Sequence, residues 1–558
     1  MKRINACMKT NKNTSEKPKG WRSLREALFA TKHSPSSADL LLAGVVFLAG
    51  LGLYVRTLAP GLLLGDSGEF QVLSSTLGIA HNTGYPIYLL LGKLLSWLPF
   101  QTVAYKANLL SALAGAVTLS EVYTIGRLLT GKRLLSLVGP LILGVNAIFW
   151  WQAVIAEVYT PGAAFAGGVL LLVILWGKTS QPGYLFAAGL VGGLSLGIHT
   201  LVALAAPAVL LYLFLYKANR KAWTAALAGG LAGLLIFAVS FFALDAHNDP
   251  TGMPANFRVH ASAYSLQPEA FDSPLTRIGF IFFSRQWRGQ MFSGTPADVS
   301  YNIQTYLDRA VGNFGILFCF TALIGAIGLL TRKVEKEIRW REGLLLLGSW
   351  LGMVYFLANY RVGDLEVFFI PTYVIVGVFI DEGLASLGDT IEDFFRTFHV
   401  NKQVCTALGS LLVLGLCIWA AWPFREAVQK SIQQGRLTFL DESRIYYPYP
   451  VMDPDYPYRE AKKIAGKVED NAILFIDWSL LYPVCYVAHV EQNRTGIACY
   501  EPMPFGTNGR IATSAIKFIR QNIDQRPVYF SLIPDDLKGL YKFKQVGFTY
   551  PLYKLERR

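Results

Sequence analysis

Long apolar segments alternate with short polar loops over most of this chain. Runs of about 17–25 mostly apolar residues, the length that crosses a bilayer as a helix, recur along it. We predict transmembrane spans at residues 39–57, 107–128, 134–150, 161–177, 183–199, 200–216, 223–244, 312–331, 343–359, 365–381 and 405–422. The pattern therefore predicts an α-helical polytopic membrane protein with about 11 transmembrane helices.

A shorter apolar stretch, Pro86–Phe100, decides the predicted topology. At about fifteen residues it is shorter than a typical span, and Lys93 and Trp97 suit a helix that lies at the lipid headgroups. We therefore interpret it as a juxtamembrane helix on the outer side. If it were counted as a span, every later loop would change sides.

The distribution of charge predicts the orientation. The chain of 558 residues is 53% hydrophobic and has a net charge of +13. Its first 38 residues contain nine Lys or Arg and two acids, and basic clusters near Arg127, Lys217 and Arg332 fall on the side of this tail. By the positive-inside rule we predict a multi-pass cell-membrane protein with a cytoplasmic N-terminus. The sequence contains no basic–aromatic module, so we expect no nucleic-acid partner.

Three parts are predicted along the chain. Residues 1–38 form a disordered cytoplasmic tail, because they are polar and charged. Residues 39–422 form the transmembrane domain, with outer loops at about 58–106 and 245–311. Residues 423–558 follow the last span and are therefore extracytoplasmic.

The C-terminal part is expected to be a small α/β domain. Its composition predicts buried strands at Ala472–Asp477 and Pro527–Ile533, and helices at Tyr458–Val468 and Arg510–Asn522. Cys485 and Cys499 both lie in this part. Whether they form a disulfide is left open, because the sequence does not fix the distance between them.

Three acids near the outer ends of spans are the candidate catalytic residues. Asp66 and Glu69 follow the first span and, at a spacing of three, share one face of a helical turn. The same spacing also fits a structural capping box. Glu157 lies in an aromatic and apolar stretch, where a carboxylate is costly unless it is paired or functional; a structural ion pair is its alternative.

Histidines, tyrosines and arginines on the same side are the candidate substrate-binding residues. Arginine suits a phosphate because its planar fork binds two oxygens, although each arginine could equally be a membrane-surface anchor and each histidine a structural residue. The candidates are His81, Tyr85, His199, Arg258, Arg285, Arg288, Tyr360, Arg361 and Asp364.

Motifs for bound cofactors are missing from the sequence. It contains no metal-ligand spacing, Walker loop or dinucleotide fingerprint, so we expect neither a metal nor a cofactor. Glu121 lies inside a predicted span, where a transporter would hold an ion site. A structural contact of Glu121 with Arg127 is the alternative.

Several motifs together resemble a known family. They are Asp66-Ser67-Gly68-Glu69-Phe70, the segment His81–Pro86, Ala156-Glu157-Val158-Tyr159, Gly193–His199 and Asp364–Pro371. Over about residues 40–380 the chain resembles the GT-C membrane glycosyltransferases. Within them it is similar to the protein O-mannosyltransferase-like branch known for bacterial proteins as domain of unknown function 2723. Residues 81–84 are His-Asn-Thr-Gly where many relatives have His-Pro-Pro-Gly.

The resemblance implies a transferase that acts on the outer face of the membrane. It would move a sugar, such as a mannose-like hexose, from a polyprenyl-phosphate donor to an acceptor hydroxyl with inversion. Asp66 would be the general base, supported by Glu69 and Glu157, and no metal would be needed. Whether the acceptor is a protein, a lipid or a glycan is left open. The alternatives are a transporter or flippase of lipid-linked sugars and a non-catalytic membrane scaffold.

Overall fold

The computed structural model describes residues 36–334, 337–397, 455–547 and 550–558, with 404, 409, 411, 415, 439–441, 444–447 and 453 between them. Nearly all of the predicted tail 1–38 lies outside the described residues. So do most of the predicted span 405–422 and the predicted domain start at residue 423.

Most of the described residues are helical. The α-helices are α1 (Ser37–Arg56), α2 (Gly65–Thr76), α3 (Pro86–Ser96), α4 (Val103–Thr130), α5 (Val138–Gly144), α6 (Ala147–Ala153), α7 (Tyr159–Thr179), α8 (Pro182–Ser195), α9 (Ala206–Leu215), α10 (Arg220–His247), α11 (Met253–Val259), α12 (Pro274–Phe282), α13 (Pro296–Phe314), α14 (Ile316–Thr331), α15 (Trp340–Ala358), α16 (Ile370–Thr397), α17 (Tyr456–Ala465), α18 (Trp478–Cys485), α19 (Thr513–Asn522) and α20 (Asp535–Lys538). The 3-10 helices are Leu135–Leu137, Thr200–Ala205, Ala261–Tyr264, Pro268–Asp272, Arg288–Gln290 and Leu365–Phe369. Tyr486–Glu491 is a π-helix.

The apolar helices confirm a multi-pass membrane protein. Among the described residues, five helices are long and apolar enough to cross a bilayer: α1, α4, α7, α10 and Leu365–Phe394, which includes most of α16. Two bent pairs raise this number to seven, namely Leu135–Gly144 with α6, and α13 with α14. The predicted spans 183–199 and 200–216 differ from this set, because α8 ends at Ser195 and the chain resumes as a 3-10 helix.

Glycines allow two of the long helices to pack closely. A Cβ atom on Gly229 of α10 would lie 1.9 Å from the carbonyl oxygen of Phe186 in α8, and one on Gly189 of α8 would lie 2.3 Å from that of Ala226. Small residues at such contacts let helix backbones approach each other in a membrane. The spacing of these glycines therefore reflects packing.

Helix α3 is the predicted juxtamembrane helix. Its 11 residues would extend about 16 Å, which is too short to cross a bilayer. Its first residues are buried, and Lys93 near its end donates a hydrogen bond of 2.5 Å to the carbonyl of Ser75. The helix is thus fixed against α2, the helix that begins with the Asp66 motif.

The C-terminal part contains the predicted α/β fold. A five-stranded sheet has the order β6 (Ala498–Tyr500), β5 (Ile473–Phe475), β7 (Val528–Phe530), β9 (Leu552–Arg557) and β8 (Tyr541–Gly547). The strands β6, β5 and β7 are parallel, whereas β9 and β8 are antiparallel. Short hairpins elsewhere are β1 (Lys333–Val334) with β2 (Glu337–Ile338), and β3 (Phe439–Asp441) with β4 (Arg444–Tyr447). Both predicted strands and both predicted helices are confirmed, with slightly different ends.

This sheet region packs onto the helical domain at α2 and α11. Helix α18 lies against α2, and residues of both belong to one continuous hydrophobic core. The side chain of Asn256, in α11, accepts a 3.1 Å hydrogen bond from the backbone amide of Glu501. Cys485 and Cys499 are both buried here as free thiols.

Candidate active site

A cavity of about 600 Å³ lies between loops of the helical domain and the C-terminal sheet region. Its wall includes the Asp66–Tyr85 region, the segments 199–204, 284–291 and 360–364, and residues after strands β5 and β6, together with Tyr159, Met253, Phe356 and Phe368. Of the predicted site residues, those that line it are Asp66, His81, Tyr85, His199, Tyr360 and Asp364.

Asp66 is the carboxylate of this cavity that is held most firmly. It lies in the first turn of α2, after Gly65, whose φ of +60° is in the region that favours glycine. Its Oδ1 accepts a hydrogen bond of 2.6 Å from the indole nitrogen of Trp478, and its side chain is 40% exposed. The positive end of the helix dipole also favours an anion here. Asp66 is thus both fixed and accessible.

Glu69 lies behind Asp66, fully buried, and does not line the cavity. It accepts hydrogen bonds from the amide of His81 at 2.8 Å and from the hydroxyl of Tyr482 at 3.0 Å, and it contacts the His81 ring. The N-cap of α2 is Leu64, so Asp66 and Glu69 do not form the capping box that their spacing also allowed. Glu69 instead joins the His81 loop and α18 to α2.

His81 is a cation between two carboxylates. Its Nδ1 contacts Glu69, and its Nε2 lies 3.7 Å from Oδ2 of Asp66. Burial lowers the pKa of His81, but Glu69 and Asp66 outweigh this effect and raise it to about 10. His81 therefore favours its protonated form at neutral pH.

Glu157 lies in a second cavity of about 340 Å³. Asp66, Tyr159 and Asp364 line both cavities, so the two meet at these side chains. The Ser67 hydroxyl donates a 3.1 Å hydrogen bond to Oε1 of Glu157. Burial, with the added charge of Asp66, raises the pKa of Glu157 well above its usual value. Glu157 therefore favours its neutral form.

An aromatic wall faces Asp66 across the larger cavity. The ring of Tyr159 lies 5.5 Å from that of His199 and 5.2 Å from that of Phe368, and the Tyr159 hydroxyl reaches Asp364 at 3.5 Å. Nδ1 of His199 accepts a hydrogen bond of 3.3 Å from the amide of Leu201. The break between α8 and the following 3-10 helix thus places an imidazole in the wall.

Residues of the C-terminal part complete the cavity, and the sequence analysis missed them. Trp478 follows strand β5, and Glu501 and Phe505 follow its parallel neighbour β6. The carboxyl ends of neighbouring parallel strands meet at one edge of a sheet, which is the signal that could have identified these positions. Phe505 stacks on Trp287 at 4.0 Å between ring centres.

The carboxyl group of Glu501, which also lines the cavity, has a raised pKa. Its burial, together with the charges of Glu69 and Asp66, raises its pKa to about 7. Its backbone is fixed from the membrane domain, because its carbonyl lies 2.8 Å from the imidazole of His260. Glu501 is therefore a titratable group near Asp66 that changes charge around neutral pH.

The four predicted arginines, all of them described, do not line the cavity. Arg258 pairs with Asp272 on the surface. Arg285, Arg288 and Arg361 are exposed, and each is next in the chain to a residue that lines the cavity. The predicted contact of Glu121 with Arg127 is also not observed, because Arg127 pairs with Asp39 at 3.0 Å. Among the described residues, no group of three or more His, Cys, Asp or Glu side chains is arranged to hold a metal ion.

Solved structures share this architecture. ArnT from Cupriavidus metallidurans bound to undecaprenyl phosphate has a TM-score of 0.54 at 14% identity, covering 93% of this chain and 98% of ArnT. The Archaeoglobus fulgidus oligosaccharyltransferase has a TM-score of 0.53 at 13% identity, covering 88% of this chain and 69% of its own. The chain has the GT-C fold. The predicted GT-C fold class is thereby confirmed, whereas the number of about 11 transmembrane helices stays a prediction.

Sequence comparison identifies the branch that the chain resembles. Residues 66–224 match the family described as the protein O-mannosyl-transferase TMEM260 N-terminal domain. The mouse protein O-mannosyl-transferase TMEM260 is 26% identical over 68% of this chain and 53% of its own length. The Dictyostelium discoideum protein of that name is 22% identical over 62% of this chain and 44% of its own. The chain thus spans about half the length of these relatives, and the predicted resemblance to O-mannosyltransferases is confirmed.

Proposed function

We propose that this protein is a membrane glycosyltransferase that moves a sugar from a lipid phosphate to an acceptor hydroxyl, with Asp66 as the general base. The observation that carries the proposal is a carboxylate fixed by Trp478 and His81 but open to a cavity of about 600 Å³. The similarity to proteins named O-mannosyl-transferase supports the reaction class. The ArnT structure with undecaprenyl phosphate supports the donor class.

In the proposed reaction, Asp66 removes the proton of the acceptor hydroxyl. The hydroxyl oxygen forms a bond to the anomeric carbon, while the bond from that carbon to the phosphate oxygen breaks and its electron pair leaves with the phosphate. Attack opposite to the leaving group inverts the anomeric centre. Because Oδ1 of Asp66 is engaged by Trp478, Oδ2 is the oxygen that receives the proton.

The two cavities suggest where the substrates bind. Asp66 lies at their junction, so a hydroxyl in one cavity and a sugar in the other would meet at the base. We assign the lipid-phosphate donor to the larger cavity. The exposed Arg285, Arg288 and Arg361, each next in the chain to a lining residue, are the mouth arginines that we propose bind its phosphate. The acceptor hydroxyl then approaches through the smaller cavity beside Glu157.

Charge in the larger cavity fits an anionic leaving group. His81 is protonated and lies beside the base, so it can stabilise negative charge that develops on the phosphate. The mouth arginines can bind phosphate oxygens in pairs. Positioning and charge stabilisation by the protein's own side chains therefore account for the proposed transfer.

The proposal is tested with the full-length protein and a panel of polyprenyl-phosphate sugars. Asp66→Asn keeps the acceptor for Trp478 but removes the base, so transfer should fall by about 10²–10⁴-fold. Asp308→Asn, an exposed change of the same chemistry on α13, is the matched control. Unchanged release of carrier phosphate by Asp66→Asn would refute the role of Asp66. Uptake of lipid-linked sugar into proteoliposomes without a glycosylated product would favour a flippase.

The outer-face orientation is part of the same proposal. Arg127 and Arg133 contact Asp39 at the far end of the helix bundle from Asp66, where Arg339 and Arg341 also lie, as the positive-inside rule requires if that end is cytoplasmic. A single cysteine at position 66, labelled from either side of sealed vesicles, should react from the outer side.

A further inference from the structure

A third cavity, which is polar, lies at the opposite end of the bundle from Asp66. It has a volume of about 580 Å³ and is bounded by the ends of α1, α4 and α7, the β1–β2 hairpin and the start of α15. Helix α4 gives the distance between this cavity and the candidate active site. Its residue Ser111 contacts Glu157, whereas Arg127, sixteen residues later and roughly 24 Å further along the helix axis, lines this cavity. The cavity is thus distinct from the candidate active site.

In this cavity the acids Asp39 and Glu342 have partners, whereas some of the cations form no ion pair among the described residues. Its cations are Arg127, Lys178, Arg339 and Arg341, and its acids are Asp39, Glu337 and Glu342. Asp39 is held by Arg127 at 3.0 Å and by Arg133 at 2.7 Å. Glu342 accepts hydrogen bonds from Tyr216 at 2.8 Å and Tyr212 at 3.4 Å.

The two arginines at the start of α15 remain without an ion pair among the described residues. The guanidinium of Arg341 lies over the rings of Tyr216 and Trp340, at 4.7 and 5.0 Å. Stacking of this kind fixes the plane of a guanidinium but leaves its N–H groups free for an acceptor. Burial lowers the pKa of Arg339, as expected for a cation with little compensation.

Three buried donors in this cavity have no hydrogen-bond acceptor among the described residues. They are the hydroxyl of Tyr123, which is fully buried in α4, and the Nε groups of Arg339 and Arg341. A buried donor without an acceptor costs about 1–3 kcal/mol. The N-terminus of the 19-residue helix α15 lies at the same place and has no side-chain cap. One ligand with several acceptor oxygens could accept hydrogen bonds from all these groups.

We propose that this cavity binds a phosphate group through Tyr123, Arg339 and Arg341. The group can belong to the headgroup of an anionic lipid or to a soluble phosphate, since the same oxygens would satisfy the same donors. This site is independent of the proposed transferase site, because the two share no lining residue.

Inorganic phosphate is the first probe, titrated against the purified full-length protein while its thermal unfolding is followed. The wild type should show a saturable rise in Tm. Arg339→Gln with Arg341→Gln should require at least about tenfold more phosphate for half of that rise, a loss of about 1.4 kcal/mol. Arg220→Gln with Lys221→Gln removes two exposed charges at the same end of the bundle and should respond as the wild type does.

Tyr123→Phe is the second variant, because it keeps the volume and removes one donor. It should weaken the phosphate response several-fold without lowering Tm in the absence of phosphate, and so keeps the test valid if the double variant does not fold. Equal responses of the wild type, both cavity variants and the exposed-charge control would overturn the proposal.

An experiment in nanodiscs distinguishes a lipid headgroup from soluble phosphate as the ligand of this cavity. In discs of phosphatidylcholine with one tenth phosphatidic acid, a lipid headgroup in the cavity should abolish the response to added phosphate. In the Arg339→Gln and Arg341→Gln variant, the same lipid should then give no stabilisation. A response that stays unchanged in these discs would assign the site to soluble phosphate.

Discussion

The indole nitrogen of Trp478 donates a hydrogen bond of 2.6 Å to Oδ1 of Asp66, a residue 412 positions earlier in the chain. The candidate base of the membrane domain is therefore oriented by the C-terminal part. The same helix, α18, supplies Tyr482 to Glu69. The C-terminal sheet region is thus a component of the site.

Trp478→Phe should impair the chemical step more than donor binding. The ring remains, but the carboxylate loses its fixed orientation, so we expect kcat to fall roughly ten- to a hundredfold with little change in the donor KM. Trp97→Phe changes an indole that is 68% exposed at the end of α3 and serves as the control. Steady-state kinetics of both variants provide the test, and an unaltered kcat for Trp478→Phe would show that the hydrogen bond does not position the base.

The pH dependence of stability should contain a contribution from His81. Its pKa is raised to about 10 in the folded protein, against an ordinary value near 6.5. This contribution is therefore fully present below about pH 6.5 and is lost as the pH rises through about 10. His81→Asn should flatten that part of the curve of Tm against pH. An identical slope in the variant would contradict the ion pair with Glu69 and Asp66.

Glu501 should contribute at lower pH, with the same sign. Its pKa is raised from its ordinary value to about 7, so the folded protein holds this proton more tightly and stability falls as the pH rises from about 4.5 through 7. In turnover, ionised Glu501 would repel an anionic donor, so the donor KM should rise above pH 7. Glu501→Gln should remove both effects, which thermal unfolding and kinetics across this range can measure.

The sequence analysis succeeded where contacts are local or helices are continuous. The apolar run within Arg220–His247 forms one long helix, and Asp66 and His81 meet because the chain turns back in a short loop directly after α2. The predicted spans 183–199 and 200–216 differ from the structure, since hydropathy does not record the break between α8 and the 3-10 helix. The sequence analysis also missed Trp478 and Glu501, although the strand at Ala472–Asp477 was predicted, because the order of strands in a sheet depends on tertiary packing.

The arginines around the cavity should separate into two classes. Arg285 and Arg288 are exposed beside the lining residues Gln286 and Trp287, whereas Arg258 is paired with Asp272. Arg285→Gln with Arg288→Gln should raise the donor KM about tenfold or more, because charge-assisted bonds to a phosphate are lost. Arg258→Gln should leave it unchanged. If Arg258→Gln has the larger effect, the donor phosphate is not bound at this mouth.

Glu157 should differ from Asp66 in its response to amide substitution. Its raised pKa favours the neutral carboxylic acid, which a glutamine imitates in both shape and charge. Because glutamine preserves the shape and the lack of charge of the protonated acid, Glu157→Gln should retain kcat within about threefold. Glu157→Ala should enlarge the smaller cavity and raise the acceptor KM. The test is to measure kcat for both Glu157 variants and for Asp66→Asn. If kcat falls as far in Glu157→Gln as in Asp66→Asn, then Glu157 acts in its ionised form.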